Sequence, residues 1–505
     1  MKIGLKADLF SNLFGSAWSA LILLVCTPAY VKYLGVSAFG LFGFYLTMQS
    51  VVRVLDLGLS PTTNREMARF SAFTDRADEC RNLSRALELC YWVIGIVVGL
   101  LFILAAPWIA THWLQAGMLS HVTLIHALQM MGLLIIFQFP VCFYQGALMG
   151  LGHQVLFNGI RIVTATLMYL GAAAVLWLGL RNIQSFFVWM AAMALLRVGI
   201  LRIALERAWP ATPRPAQGRM GLLVRIWQFA AGMAGFTVFS MLLTQTDKIM
   251  LSKLLSIKYF GFYTLAATLS AGLNLINSSI FNTIFPRLSV IAAKNDRIKT
   301  VQAYRLYSQI LMILMGPAAI MLIMFSTTIV RIWVGHWSIA RIVGPIAAVL
   351  ALGTLLNGLM IVPYAVQFAY GRTRLALFTT IFLTLLMVPG IWYMAVHYGA
   401  LGAACVWPAL MALNLLINVP LTHKFIIQHD NFTWLRDAGL TISPIFIAFI
   451  IAKALIAHVS LSLMELSLYY FMIYLVATII GIASAPLLRP WLSGHCRRLF
   501  AFSST

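Results

Sequence analysis

Residues 30–40 read YVKYLGVSAFG and residues 251–261 read LSKLLSIKYFG. The two stretches stand 221 residues apart and pair Lys32 with Lys253, Leu34 with Leu255, Phe39 with Phe260 and Gly40 with Gly261. Each lies at the turn between two apolar runs. A second echo, Val188-Trp189 against Val406-Trp407, recurs at an offset of 218. Two echoes at nearly one offset are hard to attribute to composition, and they predict a duplicated chain.

The composition names the medium. Of 505 residues, 62% are hydrophobic and only 10% charged, where a soluble domain carries about 25% charged residues. About 20 apolar residues cross a bilayer, and runs of that length fall near 10–33, 38–58, 87–110, 123–150, 156–179, 185–203, 228–252, 259–285, 306–333, 342–369, 375–397, 400–422, 438–457 and 464–488. The fold class expected is therefore an all-α polytopic membrane protein with about 14 transmembrane helices. Six spans per repeat is an even number, so the halves run in the same direction. The prediction is two parallel six-helix bundles, 1–206 and 228–425. A linker at 207–227 carries Pro210, Pro213 and Pro215, and helices 13 and 14 with a tail fill 426–505. Such a parallel repeat suits alternating access around a site between the lobes.

The formal net charge of +22 would suggest nucleic acid in a soluble protein. Here it follows from topology. With the N-terminus inside, only Lys32, Arg181, Lys253, Lys258 and Arg341 fall on the outer side, while basic residues crowd 59–86, 204–227 and 286–305 on the other. The positive-inside bias places both termini in the cytoplasm, and no nucleic-acid partner is expected. No cleavable signal peptide is expected, because the first apolar stretch continues into a full span. The six cysteines, Cys26, Cys80, Cys90, Cys142, Cys405 and Cys496, form no CxxC pair. Neither a disulfide framework nor a metal site is predicted, and no cofactor.

Charges inside spans are costly and face a bundle interior or a wet cavity. The candidates are Arg53, Asp56, Arg161, Arg197, Arg202, Asp247, Lys248, Arg331 and Lys453. Arg202, Arg331 and Lys453 lie near helix ends, where snorkelling explains them. Arg161 sits about a turn and a half inside its helix, and snorkelling and a lumen-facing role are both open. Arg53 and Asp56, three apart, could form a structural ion pair or serve function. Asp247 and Lys248 are adjacent, point about 100° apart and cannot share one helical face. Arg197 has no acid within a helical turn and is the first choice for a ligand-facing cation. Asp56 and Asp247 are the acids expected well inside spans. A cavity with this excess of bases attracts anions, which disfavours an exporter of cationic drugs. Gln129, Gln138, Tyr144, Gln145, Asn158, Gln245, Asn274 and Asn277 add groups that suit hydroxyl-rich ligands, though interhelical polar packing accounts for any one equally well. Helices 13 and 14, with few charges, could offer an apolar surface to a lipid tail.

The segment LDLGLSPTTNREMAR at 55–69 resembles the loop after the second helix in the polysaccharide (O-antigen, Wzx-type) flippases of the multidrug/oligosaccharidyl-lipid/polysaccharide exporter superfamily. TQTDKIMLSKLLSIKYFGFYTLA at 244–266 resembles the start of that family's second half, and NLFGSAWSALILLVCTPAYVKYLG at 12–35 and FNTIFPRLS at 281–289 also fit. The resemblance covers essentially the whole chain. It implies translocation of an undecaprenyl-diphosphate-linked oligosaccharide from the inner to the outer leaflet of a bacterial cytoplasmic membrane, with a cationic lumen and coupling to protons or sodium. Matched by chemistry, Arg53, Arg161, Arg197 and Lys248 are the candidate contacts to pyrophosphate or acidic sugar, and Asp56 and Asp247 the candidates for ion coupling. A polysaccharide polymerase is a possible partner. Translocation breaks no bond, so no catalytic residue is expected.

Two other readings carry weight. A lipid II flippase of the same superfamily shares the logic of the cationic cavity. An O-antigen polymerase, ligase or membrane glycosyltransferase would place acid or base residues in a large outer loop, and the span assignment leaves none longer than about a dozen residues.

Overall fold

The computed structural model describes residues 2–56, 59–71, 77–117, 119–208, 238–239, 241–294, 296–427, 431–456 and 462–488. In chain order the helices are α1 (Lys2–Val54), α2 (Leu59–Ser71), α3 (Ala77–Trp108), α4 (His121–Gln138), α5 (Pro140–Gly150), α6 (Gln154–Trp177), α7 (Ile183–Ala208), α8 (241–254), α9 (Ile257–Ala293), α10 (Arg297–Val334), α11 (Trp337–Leu359), α12 (Ile361–Ala369), α13 (Thr373–Thr422), α14 (Asn431–Ile456) and α15 (Leu463–Ser484). Among the described residues the only strand-like pairing is an isolated bridge between Gln115 and Ser256. This is the all-α polytopic class expected.

Eleven segments among the described residues are long and apolar enough to cross a membrane. Two hold more than one span's worth of helix. The Phe14–Val54 segment breaks at Gly35 (φ 81°, ψ 166°), and Thr373–Ile427 breaks at Gly399 (φ 63°, ψ −149°). The seventh predicted span begins at 228, and its first part lies outside the described residues, as do the predicted linker beyond Ala208, Cys496 and the rest of the tail from 489 on.

The chain forms two compact units, Met1–Thr264 and Leu265–Thr505. In the first, α1 packs on α6, α3 on α4, and α7 against both α4 and α6, while the short α2 and α5 pack on each other. Its core is aromatic: the Phe42 ring stands edge-on to Phe186 at 5.4 Å, and Tyr30 meets Phe186 at 5.0 Å. In the second unit α10 packs on α11 and α14, α11 on α13, and α14 on α15. The outward faces of α14 and α15 are apolar and open, with Met464 and Leu468 largely exposed.

The duplication is written into the turns. Backbone with φ > 0 is open to glycine at little cost and strained for other residues. Among the described residues the glycines in that region are Gly35, Gly117, Gly152, Gly179, Gly335, Gly371 and Gly399. Six pair off at the repeat offset, Gly117 with Gly335, Gly152 with Gly371 and Gly179 with Gly399. Gly35 has Ser256 as its counterpart, at the turn between α8 and α9. The breaks inside the fourth helix of each set also correspond: α4 gives way to α5 at Phe139 and α11 to α12 at Met360, again 221 apart.

The two opening stretches lie against each other. A Cβ on Gly40 would run into the Ile257 carbonyl oxygen, and a Cβ on Gly261 into that of Val36. Val36 and Ile257 are themselves repeat equivalents, so the two contacts exchange under the 221 offset. This is a local two-fold crossing that only glycine at both positions permits. The Trp189 and Trp407 echo is looser. Each indole sits over a glycine, but Trp189 uses Gly171 of α6 and Trp407 uses Gly353 of α11, which are not equivalent helices.

Candidate functional site

A cavity of about 310 Å³ opens within the first unit, walled by α1, α4, α5, α6 and α7. It gathers Arg53, Arg161 and Arg197, which the sequence spaces over 144 residues, onto one wall system. Arg53 occupies the last turn of α1, where the carbonyl end of the helix dipole favours a cation. Arg161 projects from α6 toward α1, donating from Nε to Ser19 Oγ at 3.2 Å and from an Nη to Ser16 Oγ at 3.0 Å. These partners orient the guanidinium without neutralising it. Arg197 comes from α7, and its Nε is buried with no hydrogen-bond partner among the described residues.

No carboxylate lies on this wall. Three cations that repel one another in a region of low dielectric are an expensive arrangement unless an anion joins them. The uncharged lining is polar as well. Gln49 donates to Gln138, Gln145 faces the space, and the buried Tyr45 hydroxyl has no protein partner among the described residues. Gln49, Tyr45 and the two serines were not singled out in the sequence. Gln49 lies one turn before Arg53 on α1, and that i, i+4 spacing was the signal available.

The remaining sequence candidates sit elsewhere. Lys248 does not line the cavity. Its Nζ folds back along α8 to donate to the Thr244 carbonyl at 3.2 Å and lies 3.5 Å from Asp247 Oδ1. The adjacent pair meets because the lysine stem is long enough to bend round from its own face of the helix, and each residue also holds another partner. Asp247 also accepts a hydrogen bond from the Tyr263 hydroxyl at 2.6 Å. Asp56 forms no ion pair with Arg53 among the described residues. Helix α1 ends at Val54, so the i, i+3 geometry is lost, and Asp56 instead accepts from the Ser60 N–H at 3.1 Å and from the Tyr91 hydroxyl. It serves the first turn of α2 as a capping residue does.

Arg202 pairs with Glu206 at 3.3 Å and approaches Glu88 at 3.8 Å, Arg331 stacks over Trp337 at 4.8 Å, and Lys453 is exposed in the last turn of α14. Of the uncharged candidates, Gln138 and Gln145 line the cavity. Asn158 binds Ser11 and the Gln154 carbonyl in α1–α6 packing, and Tyr144 donates to Glu88 at 2.7 Å. Two buried acids escaped the sequence reading: Glu88, 2.6 Å from Arg85, and Asp437, 2.7 Å from Arg305. Glu88 is the second residue of the 87–110 apolar run and Asp437 stands one residue before the 438–457 run, in helices that begin well before both.

The family model for polysaccharide biosynthesis proteins matches residues 31–342. A Shigella flexneri protein named as a candidate O-antigen transporter is 26% identical over 198 residues, which is 38% of this chain and 45% of that relative. The match thus spans under half of the relative's length. Among solved structures, the lipid II flippase MurJ in an inward closed conformation aligns with a TM-score of 0.69 at 15% identity, over 92% of this chain and 97% of that one. An inward-facing multidrug resistance transporter of the MATE family, in the MOP superfamily, gives 0.63 at 13% identity over 80% and 95%. A MOP superfamily transporter from Pyrococcus furiosus, described by a binding pocket of reverse polarity, gives 0.57 at 14% over 84% and 96%. At these identities the structures speak for the fold. The fold is the one that this flippase and these transporters share. This chain belongs to the polysaccharide biosynthesis protein family, as a multi-pass membrane protein with the fold of those solved structures.

Proposed function

We propose that this protein is a flippase for an undecaprenyl-diphosphate-linked oligosaccharide, an O-antigen or related polysaccharide repeat unit. It would carry the head group from the inner to the outer leaflet of the bacterial cytoplasmic membrane by alternating access of lobes 1–206 and 228–425, with both termini cytoplasmic. One observation carries the reading: three arginines and no carboxylate on the wall of a polar cavity within an apolar bundle. A diphosphate cannot enter hydrocarbon without losing its hydration. Guanidinium groups replace that hydration with charge-assisted, often bidentate hydrogen bonds. The unpartnered Arg197 Nε and Tyr45 hydroxyl supply donors that a phosphate or sugar oxygen would satisfy. Lys248, turned toward Asp247, is the weakest of the four substrate contacts. Asp56 and Asp247 are the proposed carboxylates for proton or sodium coupling. Asp247 is the better of the two, because its Oδ1 is buried without a hydrogen bond and faces a lysine.

The test is leaflet-resolved accumulation of the lipid-linked oligosaccharide in cells lacking the protein. Accumulation on the cytoplasmic face, relieved by the native chain and not by Arg197→Ala, is expected. Relief by both would remove Arg197 from the path. Arrival of unpolymerised oligosaccharide at the outer leaflet without the protein would overturn the flippase and favour a polymerase or ligase. Lipid II, offered in the same assay, tests the alternative cargo.

A further inference from the structure

A second hollow, a groove of about 330 Å³, lies on the first unit between α6 and α7, away from the arginine cavity. These helices are joined by a short turn, so the start of α6 and the end of α7 stand at one level. Leu156 and Ile160 form one side, and Ile200, Ile203 and Ala204 the other. Leu156 and Ile203 are about half exposed, at 44% and 52%, so the slot opens sideways toward the surroundings of the bundle. At one end stand His153, the residue before α6, and Arg207, in the last turn of α7.

Both mouth residues are exposed, and Arg207 makes no ion pair among the described residues. The neighbouring acid Glu206 is drawn to Arg202 at 3.3 Å, which leaves the mouth positive. An apolar slot with a cationic end, at the end of two spanning helices, matches an amphiphile with an aliphatic chain and an anionic head. Basic pockets between spanning helices at the interface bind lipid head groups in this way. The groove is not part of the arginine cavity. Arg161 and Arg197 stand eight and ten residues further along the same helices, roughly 12–15 Å at 1.5 Å per residue. The cavity and the groove share no lining residue.

We propose that the α6–α7 groove is a binding site for an anionic glycerophospholipid of the leaflet that meets the basic segments, with its phosphate between His153 and Arg207 and an acyl chain along Ile160, Ile200 and Ile203. The site goes beyond the transport reading and stands whichever cargo is carried. A lipid held there is wedged between the two helices that supply Arg161 and Arg197, so its head-group charge is positioned to set their packing.

Native mass spectrometry of the full chain in detergent, supplied with phosphatidylglycerol or phosphatidylcholine of matched acyl chains, tests this. One phosphatidylglycerol is retained per chain, about tenfold more strongly than phosphatidylcholine. Both lipids carry the phosphate, but in phosphatidylcholine the choline ammonium offsets its charge and is repelled by Arg207, whereas phosphatidylglycerol presents a net anion. Arg207→Gln removes most of that preference, Arg207→Lys keeps it, and Ala204→Phe, which fills the slot, loses both lipids. Arg341→Gln, which removes a cation of the second unit, changes nothing, and thermal melting verifies that each variant is folded. Equal retention of the two lipids, or retention of phosphatidylglycerol undiminished by both Arg207→Gln and Ala204→Phe, overturns the site. The readout is lipid mass and not transport, so failure here leaves the flippase reading untouched.

Discussion

Arg161 shows how a single cation is made useful in a membrane bundle. Ser16 and Ser19 hold its guanidinium on two neutral acceptors, so the charge is aimed but not cancelled. Arg161→Ala is expected to slow delivery of lipid-linked oligosaccharide to the outer leaflet about 10- to 100-fold, the worth of one charged hydrogen-bonding group. The Ser16→Ala/Ser19→Ala double variant keeps the charge and should cost less, about 2- to 10-fold, in the same assay. The two carboxylates should separate by experiment as they do in geometry. Asp56 is tied to Ser60 and Tyr91, so Asp56→Ala is expected to cost about 1–3 kcal/mol in a detergent melt by stranding the buried Tyr91 hydroxyl and the half-buried Ser60 N–H. Asp247→Asn should instead leave the melt nearly unchanged and abolish the response of transport to an imposed proton or sodium gradient. A gradient response surviving in Asp247→Asn but lost in a folded Asp56→Asn would reverse that assignment.

At the scale of elements, the decisive feature is the crossing of the segment after Gly35 with the start of α9. Glycine is needed at Gly40 and Gly261 because backbone carbonyls occupy the space of a Cβ, and backbone cannot rotate away as a side chain can. Gly40→Val and Gly261→Val are expected to destabilise by similar amounts, about 1–3 kcal/mol or more from overpacking. Gly272, in the interior of α9 with nothing within 4 Å of a Cβ, gives the contrast. Gly272→Ala should be neutral or stabilising by up to about 1 kcal/mol. Thermal unfolding of the three variants checks both expectations, and unequal losses at Gly40 and Gly261 would argue against the local two-fold.

At the scale of the whole chain, orientation and charge sign are the testable properties. In a background without its own cysteines, Lys32→Cys and Lys253→Cys should react with a membrane-impermeant maleimide added outside intact cells, and Arg372→Cys should react only after permeabilisation. The reverse pattern would invert the topology. The sign of the cavity also predicts that the protein confers no efflux of cationic dyes, because three unneutralised arginines repel them.

Much of this architecture was legible in the sequence. Spanning helices declare themselves by apolar length, since backbone polar groups in hydrocarbon must be satisfied within the helix. The repeat declared itself in two short echoes and could have been read more firmly from Gly117, Gly152 and Gly179 against Gly335, Gly371 and Gly399, because turns with positive φ restrict residue choice. Arg53, Arg161 and Arg197 were recognisable as costly charges in apolar surroundings. Which of the bases share a cavity was not legible. Arg53, Arg161 and Arg197 come together, while Lys248 folds back on its own helix and Asp56 caps a helix start. Periodicity gives direction around one helix axis but not the neighbour that the direction meets. The sequence thus determined the medium, the helices and the sign of the charge, and tertiary packing alone decided which charges pair with one another and which share a wall that holds no carboxylate.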